Sequence, residues 1–166
     1  MGGGAKEWQQ HREIAMTSKA LLALLLGSAI ALHATTASAR DRLGLHAGLG
    51  RGPDQFVAGG QAELGPVLGS ASFAPSLDVG IGGNSTVTVI NGDLRWYLLP
   101  LPETGIRFYG QAGPAIVISP DTELGLSLGV GADIPMKNRR RYHVEARFGL
   151  GDVPDLKIVL GVLFGL

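Results

Sequence analysis

The side chains of this sequence that could carry acid–base, ligand or ion-pair chemistry are Glu63, Asp78, Asp93, Glu123, Asp133 and Glu145 against Arg95, Arg107, Arg147 and Lys157, with His46 and His143 nearby. Asp93 and Arg95 lie two residues apart, as do Glu145 and Arg147, a spacing that puts both members on one face of an extended strand. If the turn over 135–141 closes symmetrically, Asp133 and His143 stand opposite each other on neighbouring strands. Three kinds of chemistry compete for such a set. Acyl hydrolysis needs a serine nucleophile, a histidine base and an acid in one place. No His-x-Ser occurs here, and the residue two beyond His143 is Glu145. Metal binding by His46 and His143 lacks a third ligand at a suggestive spacing. Mutual pairing remains, because a buried charge without a partner is costly. The expectation is a polar network, with no catalytic, metal or cofactor site.

Strands must position these residues. From Leu124 to Ile134 the chain alternates strictly, with Leu124, Leu126, Leu128, Val130, Ala132 and Ile134 separated by small or charged residues. Leu156, Ile158, Leu160, Val162, Phe164 and Leu166 repeat the device. A period of two belongs to a β-strand with unlike faces. Turn-forming clusters at 50–54, 65–66, 82–84, 100–102, 119–121, 135–141 and 151–155 divide the chain into eight segments, about 42–50, 54–64, 70–82, 85–99, 104–118, 121–134, 141–150 and 155–166. One face of every segment is apolar and free of charge. The other carries the titratable residues thinned by glycine, including Gly44, Gly59, Gly129, Gly131 and Gly161.

Composition narrows the field. The chain has 166 residues, 26 of them glycine, no cysteine and a formal net charge of zero, so it offers neither a disulfide scaffold nor a basic footprint for nucleic acid. The Ala20–Leu32 apolar run follows Lys19 and precedes Ala37-Ser38-Ala39, the organisation of a secretory signal peptide cut between Ala39 and Arg40. Residues 16–39 are therefore expected to be the leader, 1–15 an N-terminal extension or an upstream start, and 40–166 the mature domain. From Arg40 onward, 11 Lys and Arg stand against 12 Asp and Glu, leaving a net charge of −1. Lys137-Asn138-Arg139-Arg140-Arg141 is the one dense basic run, compatible both with a solvated turn and with contact to anionic lipid headgroups. Asn84-Ser85-Thr86 matches a glycosylation acceptor, a match taken as incidental, and Gly48–Gly52 lacks the following helix that a phosphate cradle needs.

Volume decides which face turns inward. Eight strands enclose a space only just filled by side chains. The face rich in Leu, Ile and Phe, with Trp96, suits an unlimited exterior, and the glycine-thinned polar face suits a crowded interior. A soluble lipocalin-like barrel would reverse this, and the Gly-x-Trp opening of that class is missing from the first two strands. The fold expected is all-β, an eight-stranded antiparallel up-and-down transmembrane barrel whose closure satisfies the backbone in hydrocarbon.

The stretch Gly129-Val130-Gly131-Ala132-Asp133-Ile134-Pro135, a turn, Tyr142-His143-Val144-Glu145-Ala146-Arg147-Phe148, then Asp152-Val153-Pro154-Asp155-Leu156-Lys157 and a closing strand resembles the eight-stranded outer-membrane barrels of Gram-negative bacteria, the opacity-protein and outer-membrane-protein-A-like transmembrane domains. The resemblance covers Arg40 to Leu166. It implies an outer-membrane location, an N-terminus in the periplasm, outer-membrane lipids as surroundings, and a C-terminal strand read by the insertion machinery. Family members end on an aromatic residue; here Phe164 precedes Leu166 on the same face, and the aromatic girdle rests on Trp96, Phe108, Tyr142 and Phe148. The function expected is a structural or surface role with a plugged polar lumen. A narrow pore for small solutes and a soluble periplasmic binder are the alternatives.

Overall fold

The computed structural model describes residues 41–166 other than 53, 83, 84, 121 and 152, without the side chains of 85, 99 and 100. The N-terminal extension, the leader, the Ala39–Arg40 cleavage point and Asn84 lie outside these residues. Eight strands follow in order: β1 (Arg42–Arg51), β2 (Gln55–Leu68), β3 (Ala71–Gly82), β4 (Ser85–Leu101), β5 (Ile106–Ile118), β6 (Thr122–Pro135), β7 (Arg140–Gly151) and β8 (Leu156–Gly165). Each pairs antiparallel with its neighbours, and β8 returns to β1 to close the barrel.

Alternation sets the two faces. Leu45 is 68% exposed and Leu160 62%, while Arg95 and Asp133 are wholly buried. The outer surface is an apolar band, and the interior holds the charges. That is the reverse of a lipocalin-like binder, so the soluble alternative is overturned: its binding cavity would need these leucines inside. Trp96, Phe108, Tyr142 and Phe164 lie outward near the strand ends on the side of the barrel where β1 begins and β8 finishes, here the terminal end. Phe56 and Phe148 face outward near the far end. Tryptophan and tyrosine at such levels mark the membrane–water boundary.

Two turns differ from expectation. Gly65-Pro66 does not end β2; the strand runs on to Leu68, with register shifts against β3 on either side of Pro66. Proline lacks the ladder N–H and is accommodated at such bulges. The reversal falls instead at Gly69, whose φ of 59° is a glycine conformation. Likewise β4 continues through Pro100 to Leu101 after a shift between Tyr97 and Leu99. Its turn closes at Gly105, φ 66°, where Gly105 N donates to Leu101 O at 2.8 Å.

A third difference concerns the inner face near the far end. Val57, Val87, Val89 and Val117 are buried inside it, and Val153 from the β7–β8 loop packs onto the cluster formed by Val87, Val89, Ala115 and Val117. In Thr86-Val87-Thr88-Val89 the polar residue takes the outer face and the apolar one the inner, inverting the pattern of the rest of the barrel. The lumen is polar through its middle and greasy at its far mouth.

Candidate functional site

The inner face brings the titratable residues together in three tiers. At the terminal end, Arg107 Nη2 donates to Asp133 Oδ2 at 2.8 Å and Arg42 Nη1 to Glu63 Oε2 at 3.2 Å. The Tyr97 hydroxyl stands between them, 2.8 Å from Glu63 Oε1 and 3.0 Å from Asp133 Oδ2, and accepts from Arg107 at 3.1 Å. The Arg107 guanidinium also lies 4.0 Å above the Tyr97 ring. One phenol thus ties two carboxylates of different strands.

Glu145 is the hub of the middle tier. Its Oε2 receives Tyr109 OH at 2.8 Å and Arg95 Nη2 at 3.1 Å, and its Oε1 receives Arg147 Nε. Arg147 reaches on to Asp93, 2.9 Å away, and Arg95 reaches Gln111 Oε1 at 2.8 Å while stacking 4.0 Å over the Tyr109 ring. Asp93 and Arg95, neighbours by spacing on β4, therefore take their ion-pair partners from β7 across the barrel. Local spacing identified their face but not their partners.

Asp78 organises the third tier. It receives His46 Nε2 at 2.5 Å, Asn91 Nδ2 at 3.2 Å and the Lys157 ammonium. Ser76 Oγ accepts from both Asn91 and Arg147, at 3.0 and 3.1 Å, and so links this tier to the middle one. Above it a cavity of about 30 Å³ is lined by Asp78, Asn91, Ser127, Arg147 and Lys157 on one side and by Val57, Val87, Val89 and Val153 on the other. A water needs only about one probe sphere of such volume, so this space admits water and little more.

His143 lies opposite Asp133 in the β6–β7 register. Its imidazole meets His46 edge-on at 5.7 Å, and among the described residues neither of its ring nitrogens has a hydrogen-bond partner. Glu123 stands half-buried at the far mouth beside a cavity of about 330 Å³ shared with Val117, Ser119 and Asp155, and takes no part in these ion pairs. The apolar plug of Val87, Val117 and Val153 belongs to that same mouth. Among the described residues, no three of His, Cys, Asp and Glu are grouped to hold a metal.

Sequence reasoning passed over Tyr97, Asn91 and Ser76. Tyr97 shares the parity of Asp93 and Arg95 and faces inward with them, since the β4 register shift comes only after it. Asn91 and Ser76 carry no charge, yet Asn91 shares the parity of Asp93 and Arg95, and Ser76 that of Asp78; this was a usable signal. The glycines of the inner face make room for the large groups. A Cβ on Gly161 would collide with the His143 ring and lie 2.7 Å from His46 Cβ, and one on Gly131 would enter the Tyr109 ring.

No family model matches the chain, and no curated protein matches it. Among solved structures it is similar to the N-terminal β-barrel domain of Pseudomonas aeruginosa OprF, at 15% identity and a TM-score of 0.57 over 76% of this chain and 96% of that one. It is also similar to Neisserial surface protein A, at 9% identity and 0.57 over 76% and 94% of the two chains. A de novo designed transmembrane β-barrel matches at 13% identity and 0.55 over 76% and 94%. What is shared at these identities is the fold, an eight-stranded membrane-spanning barrel of the outer-membrane kind. Natural and designed chains adopt it alike, so any role has to come from this chain's own residues.

Proposed function

We propose that this chain is a small integral outer-membrane protein with a structural or surface role, that its lumen is closed, and that it neither catalyses a reaction nor conducts solutes. The observation that carries the reading is the Asp93–Arg147–Glu145–Arg95 chain. It spans the barrel from β4 to β7, and all four side chains are at most 4% exposed. A solute path would have to break paired charges in a space that eight strands barely leave open. The Val153 plug adds a second, apolar barrier at the far mouth.

The reading includes an orientation. The terminal end, with the short turns at 69–70, 102–105 and 136–139, faces the periplasm, and the opposite rim faces outward. It also includes insertion by machinery that reads β8, whose Phe164 is presented on the outer face. Outer-membrane fractionation followed by electrophoresis with and without boiling tests the proposal. A folded barrel in that fraction migrates apart from its boiled form. A chain recovered as a soluble periplasmic protein, or one without heat-modifiable migration, contradicts it.

A further inference from the structure

We infer that the terminal end of the barrel carries a site for the phosphate headgroup of an anionic glycerophospholipid, formed by Arg139 and Arg140 of the β6–β7 turn with Arg42 and Arg141 beside them. The inference rests on the membrane-barrel reading above.

Four observations converge. First, these four arginines line one cavity of about 350 Å³, with Pro135 and Met136 forming part of its wall. Guanidinium groups match the oxygens of a phosphate in a way that a lone ammonium does not. Second, the charges there are only partly used. Arg42 pairs with Glu63, and Arg141 lies 3.7 Å from Asp133 while donating to Gly105 O at 2.6 Å. Among the described residues no carboxylate forms an ion pair with Lys137, Arg139 or Arg140.

Third, the turn holds Arg139 where glycine would fit better. Asn138 and Arg139 have φ of 62° and 58°, the left-handed region that disfavours side chains other than Gly and, less strongly, Asn. The conformation is fixed by Met136 N donating to Arg140 O at 2.9 Å and Gly165 N to Arg139 O at 3.2 Å. A backbone held in such a region around a cationic side chain points to a use for that side chain. Fourth, the cavity opens onto the apolar band. Arg140 lies 5.5 Å over the Phe164 ring, and Tyr142, Phe164 and Leu166 are exposed on the outer face beside it. A cationic pocket continuous with a lipid-facing surface fits an amphiphile: the phosphate sits among the arginines and the acyl chains run along β7 and β8. A free anion would use only half of this arrangement.

The test is native mass spectrometry of protein expressed from the full sequence and recovered from the outer membrane in detergent, titrated with phosphatidylglycerol or phosphatidylcholine. Wild type is expected to retain phosphatidylglycerol preferentially. Arg139→Gly relieves the turn while removing the guanidinium, so it should fold at least as well and still lose affinity. Together with Arg140→Gln the preference should fall by about fivefold for each cation removed. Arg51→Gln, at the opposite rim, should leave it unchanged. Equal retention of the two lipids by wild type overturns the inference, as does an Arg51→Gln loss matching that of the turn variants. Displacement of the lipid by inorganic phosphate as readily as by a second phosphatidylglycerol would also overturn it, in favour of a free-anion site. A chain that never becomes heat-modifiable contradicts the barrel reading itself; a heat-modifiable chain with no lipid preference contradicts only this inference.

Discussion

Glu145 accepts from Tyr109, Arg95 and Arg147 at once, and Arg147 in turn holds Asp93 and Ser76. In a dry interior the cost lies in breaking such a set, since each lost partner leaves an uncompensated buried charge. Arg147→Ala should destabilise the barrel by roughly 3–5 kcal/mol in urea unfolding from lipid vesicles. Asp93→Asn combined with Arg147→Met should cost less than the sum of the two single changes, because the pair is removed together. Additive losses would mean that the two residues are not coupled. The same crowding governs the small residues. Gly161→Ala drives a methyl into the His143 ring, the Leu45 carbonyl and the His46 Cβ and should cost about 1–3 kcal/mol. Gly60→Ala on the outer face meets nothing closer than 3.5 Å and should be tolerated. Comparable losses at the two positions would contradict the assignment of faces. The faces themselves were legible in the sequence, because parity along a strand is local. Glu145 and Arg147, two residues apart, do pair, but the other partners were not legible: Arg95 finds Glu145, 50 positions away, only after closure brings β4 and β7 to the same lumen.

At the scale of the strand, position in the membrane decides what a substitution does. Leu128 points outward from the middle of β6, 43% exposed, while Ser127 beside it is buried in the lumen. Leu128→Arg should therefore destabilise by roughly 2–4 kcal/mol if it sits at the bilayer midplane. Ser127→Arg should instead act by overfilling the interior, and thickening the bilayer should worsen the first variant but not the second. A harmless Leu128→Arg in a vesicle-folding titration would invert the barrel. All eight strands could be read in advance from alternation and turn residues, to within a few positions at their ends. What escaped were the places where a turn signal sits inside a strand or where the pattern flips. Pro66 looks like a stop because proline cannot donate to a ladder, but a bulge removes the need for that donor. Thr86 to Val89 reverses its faces where the strand nears the far rim, and four residues are too few for periodicity to announce the change.

For the whole molecule, closing the sheet is what brings the inward side chains of β4 and β7 together. The barrel leaves no edge strand exposed to hydrocarbon, and the tiers centred on Asp133, Glu145 and Asp78 fill the middle of the lumen below the small cavity beneath Val153. The architecture could be anticipated from length, glycine content and face segregation. The apolar plug could not, because Val153 belongs to a loop and its contact with Val87 and Val117 exists only in the closed barrel. Planar-bilayer recording of the purified wild-type protein beside Arg147→Ala is the most direct measurement of this closed lumen. The wild type should pass little or no current, with Arg147→Ala admitting water and showing brief openings. Stable, large-conductance openings in the wild type would contradict the filled lumen and make the protein a pore.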